Sequence, residues 1–210
     1  EYIAAPSGRP GIITGNARGT NDMRDIALKY AQRLQWCVIP CDTQKQPITA
    51  LVHRGHLDAT RDPATISRYW RQAYNIGIAT APSGLIVIDI DVKNGAPGLQ
   101  NWRKLLDEHG EKLADTVSQH TPSGGIHYLY KANGRQIASG KLAPGIDIKA
   151  GYPDGTHGGY ILVAPSSLDG TKATAYSWDK DRDPFTANIA DFPDELAAML
   201  ARTDTADRQT

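Results

Sequence analysis

The sequence contains little cysteine and no long apolar segment, and each shortage excludes a class of protein. Its two cysteines are Cys37 and Cys41. A disulfide between residues four apart in a strand and its exit loop has unfavourable geometry, and two thiols alone cannot complete a four-ligand zinc site. No run approaches the roughly 18 apolar residues of a membrane span, and no segment of this sequence has the apolar core of a signal peptide. We therefore predict reduced thiols, no membrane partner and a cytoplasmic protein.

An excess of charge of either sign is also absent. Lysine and arginine number 23, aspartate and glutamate number 23, and the formal net charge is zero. Proteins that hold nucleic acid tightly by themselves usually carry a basic face. Any contact with nucleic acid is therefore expected to be local and weak, or assisted by a tethered partner.

The pattern of apolar residues predicts an α+β fold with an open, mixed or antiparallel sheet, because helices come first, strands mostly later, and sequential strands lie close enough for hairpins. A first helix capped by Asn21 or Asp22 and a second beginning at Asp62-Pro63 follow from capping preferences. The division expected is a flexible segment 1–20, a main domain 21–190, and a C-terminal helix with the start of a linker at 191–210. The predicted strands cover 36–41, 75–80, 85–92, 117–119, 126–131, 146–150 and 159–164, the last two forming a pair, and further helices cover 99–109 and 191–200.

The most informative segment is Gly84–Asp91, in which an apolar run ends in Asp-Ile-Asp. In a strand, side chains alternate faces, so Asp89 and Asp91 lie on one side and the isoleucines on the other. Two carboxylates about 7 Å apart on one strand face suit hard divalent cations with oxygen ligands. Two aspartates that simply face water at a strand end are the ordinary alternative.

Two further strands carry polar groups by the same alternation. His127 follows the turn Ser123-Gly124-Gly125, and Asp147 and Lys149 alternate with isoleucines. With Asp89 and Asp91, Asp147 makes a set of three carboxylates that suits one or two Mg²⁺ or Mn²⁺ ions and catalysis of phosphoryl displacement. His127 and Lys149 are candidates for neutralising phosphate oxygens, and the N–H groups of Gly124 and Gly125 for an anion-binding nest.

Each of these features has an ordinary structural explanation when taken alone. A strand histidine is usually structural, a Ser-Gly-Gly turn usually only closes a hairpin, and a single lysine is usually a surface charge. The remaining histidines, His53, His56, His109, His120 and His157, receive that structural interpretation. The combination is far more specific than its parts.

The combination resembles the N-terminal domain of bifunctional DNA primase/polymerases of phages, plasmids and other mobile elements, a family of the archaeo-eukaryotic primase superfamily. The acidic-x-acidic motif of that family resembles Asp89-Ile90-Asp91, its Thr-Pro-Ser-Gly-Gly-x-His motif resembles Thr121–His127, and its apolar-Asp motif resembles Ile146-Asp147. The flanking segments 59–63, 75–80 and 159–165 are similar too. The resemblance covers about residues 26–176, with a longer turn at 151–158.

The resemblance implies an RNA-recognition-like catalytic subdomain packed with a small α/β N-terminal unit. It also implies synthesis and extension of primers on a single-stranded DNA template from nucleoside triphosphates. Two Mg²⁺ or Mn²⁺ ions would be held by Asp89, Asp91 and Asp147, and the triphosphate by Ser123, Gly124, Gly125, His127 and Lys149. Similar proteins are often fused to a helicase, which is therefore an expected partner. A fused helicase would explain the linker-like end of segment 191–210 and the neutral charge. The expected location is the host cytoplasm.

Two other functions remain open from the residues. A metal-dependent phosphoesterase or nuclease would use the same carboxylates to activate water, although it has no need to grip a triphosphate. A non-catalytic, RNA-recognition-like module that binds single strands should expose aromatic side chains on its sheet. The acidic residues of the expected open face would instead repel a phosphate backbone.

Overall fold

The computed structural model describes residues 19–207, so the predicted flexible segment 1–20 lies almost entirely outside the described residues. The first residues that it describes form an α-helix that packs on the core. The helices and strands are α1 (Thr20–Leu34), β1 (Cys37–Cys41), α2 (Pro63–Tyr69), β2 (Asn75–Ala79), β3 (Leu85–Ile90), α3 (Gly98–His109), β4 (Val117–His120), β5 (Ile126–Lys131), β6 (Gly140–Ala143), β7 (Ile146–Lys149), β8 (Tyr160–Leu162), β9 (Ser177–Trp178) and α4 (Asp194–Asp207).

The strands form two open sheets in which every pair of neighbours is antiparallel. The larger sheet has the order β6-β7-β3-β5-β4-β9, and the smaller has the order β1-β2-β8. The predicted α+β class with an open antiparallel sheet is confirmed. The small unit is completed by β8, which lies far along the chain, so its sheet is not built from the N-terminal segment alone.

The larger sheet is covered on both faces along most of its central strand. On one face, Ile86, Ile88 and Ile90 belong to a buried cluster with residues of α3 and α4. On the other face, Leu85 and Val87 belong to a cluster with α1 and β2. The face that carries Asp89 is therefore open only near the end of β3. Burial on both sides fixes the register of β3, because a slip by one residue would move Asp89 into the apolar side.

The predicted pairing of 146–150 with 159–164 is wrong. β7 pairs with β3 and β6, whereas β8 pairs with β2 in the other sheet. The glycine-rich segment 151–158 carries the chain from one sheet to the other instead of closing a hairpin. Gly151 and Gly158 pack so closely that a Cβ on Gly151 would lie 2.5 Å from the Cα of Gly158.

Of the two helix N-caps predicted from the sequence, one is confirmed and one is wrong. Asp62 caps α2 as predicted, since its carboxylate accepts a hydrogen bond of 2.8 Å from the Thr65 N–H. The cap predicted at Asn21 or Asp22 is wrong, because α1 begins at Thr20 and its N-cap is Gly19, which makes no side-chain capping bond.

The structure also bears on the predictions of reduced thiols and of no membrane-spanning segment. Cys37 and Cys41 are buried, free thiols. Burial, aided by the charge of Asp42, raises the pKa of Cys41 to about 12, which favours the protonated thiol over the nucleophilic thiolate. Among the described helices, none has the length and apolar character needed to cross a membrane.

Candidate active site

Four side chains on four neighbouring strands form one row across the larger sheet. Asp147 of β7 lies opposite Asp89 of β3, Asp89 lies opposite His127 of β5, and His127 lies opposite Gln119 of β4. Residues directly opposite each other in antiparallel strands share a face and lie close together. The register therefore brings together three predicted site residues that are up to 58 positions apart in the sequence.

Asp89 is the centre of this row and is about three-quarters buried. Its Oδ1 lies 3.2 Å from His127 Nε2, and its Oδ2 lies 4.0 Å from Lys149 Nζ. Burial by itself would raise the pKa of Asp89, but the hydrogen bond from His127 and the positive charges of Lys149 and Lys45 outweigh it and hold the pKa below its usual value. The carboxylate is therefore ionised at neutral pH.

Asp147 and Lys149 lie two residues apart on β7, on the face that also carries Asp89. The Lys149 ammonium contacts Asp147 Oδ2 at 3.2 Å while remaining within 4.0 Å of Asp89. One lysine thus balances two carboxylates, which would otherwise repel each other across the two strands.

Asp91 lies just beyond the end of β3, which stops at Ile90 and not at the predicted Val92. Its N–H donates to the Gly145 carbonyl at 2.8 Å, and its carbonyl accepts from the Gly98 N–H at 3.2 Å. Its side chain is exposed and accepts a bond of 2.7 Å from the Lys93 N–H. Asp91 therefore borders the same cavity as Asp89 without contacting it.

The turn before β5 is closed by its own hydrogen bonds. The Gly124 N–H donates to the Thr121 carbonyl and the Gly125 N–H donates to Thr121 Oγ1, each at 3.0 Å. Since both N–H groups are used within the turn, the predicted nest would require these two hydrogen bonds to be released. Gly125 is required for another reason, because a Cβ there would lie 2.2 Å from the Ile90 carbonyl oxygen. The turn brings Ser123 to the site instead.

These groups border a cavity of about 470 Å³ between the two sheets. Its wall includes Asp89, Asp91, Ser123, His127 and Lys149, and Asp147 lies beside it through its contact with Lys149. A larger cleft of about 820 Å³ lies near Tyr74 and Lys172 and contains none of the predicted site residues. The smaller cavity is the better candidate because it is the one that combines carboxylates, cations and an imidazole.

Several residues of the cavity were not among the site residues predicted from the sequence. Lys45 reaches it from the loop after β1, with its Nζ 6.0 Å from the Tyr176 ring centroid, and its carbonyl accepts a 2.9 Å bond from the Tyr160 hydroxyl. Tyr176 is buried with its ring centroid 5.9 Å from that of His127. His56, interpreted from the sequence as a structural histidine, also borders the cavity.

The missed residues carried little or no signal of their own in the sequence. Lys45 and His56 were visible as polar residues of one long loop, but nothing local indicated which sheet that loop would face. Burial and the charge of Asp89 raise the pKa of Tyr176, so its hydroxyl remains a donor.

The donor chemistry of the row fits a hard divalent cation. The Lys149 ammonium contacts both Asp89 and Asp147, which shows that the two carboxylates can share one positive group. Within residues 19–207, no three His, Cys, Asp or Glu side chains are already grouped to hold one ion. Binding an ion between Asp89 and Asp147 would therefore require the Lys149 ammonium to move away from them.

The fold and the site together define an α+β domain. Its larger sheet carries a row of side chains with two carboxylates, and this row borders a cavity that is also lined by lysines. A family model described as bifunctional DNA primase/polymerase, N-terminal, matches residues 27–195. The chain belongs to this primase/polymerase family, as its motifs predicted. A search of curated proteins finds no match to the chain.

Proposed function

We propose that the domain synthesises and extends primers on single-stranded DNA by nucleotidyl transfer from nucleoside triphosphates. The observation that carries the proposal is the row of Asp147, Asp89 and His127 on neighbouring strands, in which Asp89 and His127 lie on the wall of one cavity. Family membership supports the same conclusion.

Asp89, Asp91 and Asp147 would hold two Mg²⁺ or Mn²⁺ ions. Bound there, these ions would supply Lewis-acid stabilisation for the attacking 3′-hydroxyl and the leaving pyrophosphate. Asp89 contributes an ionised oxygen ligand, since its pKa is held low even without metal.

The triphosphate would be held by the lysine ammonium groups and the imidazole of the cavity. His127 presents Nε2 towards Asp89, Lys149 lies beside both carboxylates, and Lys45 approaches from the opposite sheet. Ser123 adds a hydroxyl from the turn that Gly124 and Gly125 shape. Charge-assisted hydrogen bonds of this kind orient phosphate oxygens and neutralise their charge.

The two alternatives fit the cavity less well. A nuclease or phosphoesterase needs the carboxylates, but it has no need for cations that approach from both sheets. A single-strand-binding module of the RNA-recognition type stacks bases on exposed aromatic rings. Tyr128 and Tyr130 of β5 are instead buried against α3 and α4.

The test is a primer-synthesis assay on single-stranded DNA, with ribo- and deoxynucleotides supplied separately in Mg²⁺ and in Mn²⁺. The proposal predicts new strands that depend on template, nucleotide and metal. A parallel reaction without nucleotides measures degradation of the same DNA. Metal-dependent cleavage without synthesis would establish the nuclease, and DNA binding without either reaction would establish the module.

A further inference from the structure

Gln119 is a buried polar residue at the end of the active-site row. Its side chain has no exposed surface, and a buried amide is costly unless its hydrogen bonds are made. It makes three. Its Nε2 donates to the Leu162 carbonyl at 2.7 Å, its Oε1 accepts from the Ala164 N–H at 3.1 Å, and its Nε2 lies 2.9 Å from His127 Nδ1.

The two backbone partners fix which way the amide points. A peptide carbonyl can only accept and a peptide N–H can only donate, so Oε1 must face Ala164 and Nε2 must face Leu162. Both partners belong to β8 and the residues after it, in the smaller sheet. The orientation of Gln119 is thus set by the junction between the two sheets and does not depend on the histidine.

The orientation of the Gln119 amide determines which ring nitrogen of His127 carries the proton. The second hydrogen of Nε2 points at Nδ1 of the imidazole, so Nδ1 must accept. In the neutral ring the proton then lies on Nε2, the atom 3.2 Å from Asp89 Oδ1. The nearby Tyr176 ring limits the movement of the imidazole from the side.

We infer that Gln119 is a positioning residue that holds His127 as the Nε2–H tautomer, so that the imidazole acts as a hydrogen-bond donor to phosphate and not as a general base. This inference rests on the proposed function for the identity of the ligand. The tautomer itself does not depend on catalysis.

The direct test is ¹⁵N NMR of the whole chain with labelled histidine, using correlations between ring nitrogens and carbon-bound protons near neutral pH. His127 should show a protonated Nε2 and an unprotonated Nδ1. In Gln119→Glu, an acceptor replaces the donor, and Nδ1 should become protonated. The control Gln32→Glu makes the same chemical change on the exposed surface of α1 and should leave His127 unchanged. A wild-type His127 protonated on Nδ1 would overturn the inference.

A double-mutant cycle gives a second test that does not require the buried glutamate to be tolerated. Gln119→Leu should weaken binding of a fluorescent nucleoside triphosphate about three- to tenfold, the effect of one hydrogen bond. In a His127→Ala background it should have no further effect on affinity, because Gln119 acts through the histidine. An equal loss in both backgrounds would contradict the inference. If the protein makes no primers but His127 carries its proton on Nε2 and responds to Gln119→Glu, the proposed function fails and the positioning role stands.

Discussion

At the scale of single residues, His127 is the buried hydrogen-bond donor of the site, since it is only 5% exposed and has its Nε2 directed at Asp89. We predict that His127→Ala raises the dissociation constant for nucleoside triphosphate about ten- to a hundredfold, the value of one charge-assisted hydrogen bond of about 1.5–3 kcal/mol. Titration with a fluorescent nucleotide measures this. His53→Ala, at an exposed histidine outside the cavity, is the matched control. A variant that melts earlier but keeps its nucleotide affinity would show that His127 is only structural.

Lys149 gives a second prediction at this scale, because its ammonium contacts both Asp89 and Asp147. In the absence of nucleotide, Lys149→Met should tighten Mn²⁺ binding roughly tenfold, since a positive charge that competes for the same carboxylates is removed. It should also weaken binding of nucleoside triphosphate. Calorimetric titration with each ligand tests both directions, with Lys104→Met on the exposed surface of α3 as the control. Unchanged Mn²⁺ affinity would show that the lysine does not occupy the place of a metal.

At the scale of elements, the start of α3 and the end of β3 are held together by two glycines. A Cβ on Gly98 would lie 2.3 Å from the Asp91 carbonyl oxygen and 2.4 Å from that of Gly145. Gly98→Ala should therefore force α3 away from β3, cost about 1–3 kcal/mol of unfolding free energy and displace Asp91.

The melting temperature and the rate of nucleotide incorporation should both be lower in Gly98→Ala than in the wild type. Gly140→Ala provides the control, because a Cβ there meets no atom within 4 Å and the backbone is not strained. If Gly98→Ala were as stable and active as Gly140→Ala, the close approach would have no role in positioning Asp91.

Alternation of side chains along single strands explains which parts of the fold and site could be predicted from the sequence. Alternation along β3, β5 and β7 correctly assigned Asp89, His127 and Asp147 to strand faces, since each face is fixed by burial of its neighbours. Alternation is local, however, and it cannot identify which strands are neighbours. The pairing of β8 was therefore predicted wrongly, and the contribution of Lys45 to the cavity was not predicted.

The hydrogen-bond partners of the polar groups could not be predicted from the sequence either. The Gly124 and Gly125 N–H groups looked available, but Thr121 accepts both of their hydrogen bonds. Gln119 looked like an ordinary strand residue because its three partners lie on β5, on β8 and immediately after β8. A residue whose role depends on contacts between two sheets leaves no local periodic signal.

At the scale of the whole molecule, the balanced charge predicts weak binding to single-stranded DNA. We expect the few phosphate contacts to come from basic residues outside the acidic row, namely Arg54, Arg61, Arg68 and Arg71. All four are exposed, although Arg54 is already paired with Asp58 at 2.7 Å. With a log–log salt slope of about −0.7 per phosphate contact on single strands, the total slope should be near −2 to −3. Fluorescence anisotropy at several salt concentrations measures it.

Binding should also be coupled to the catalytic ligands. Adding Mn²⁺ and the nucleotide that pairs with the template should tighten DNA binding, because the metal cancels the negative charge of the carboxylates and base pairing adds contacts. The same titration with a nucleotide that does not pair is the control. Tight DNA binding that ignores metal and nucleotide would favour a plain binding module.

The central claim is that the carboxylate row catalyses nucleotidyl transfer, and replacing its members without changing their shape tests it most directly. The measurement is the rate of nucleotide incorporation into a primed single-stranded template at saturating Mn²⁺ for Asp89→Asn, Asp147→Asn and Asp107→Asn. The last variant makes the same change on the exposed surface of α3. Asp89→Asn and Asp147→Asn should abolish incorporation while remaining folded, and Asp107→Asn should match the wild type. Near wild-type incorporation by either row variant would contradict the central claim.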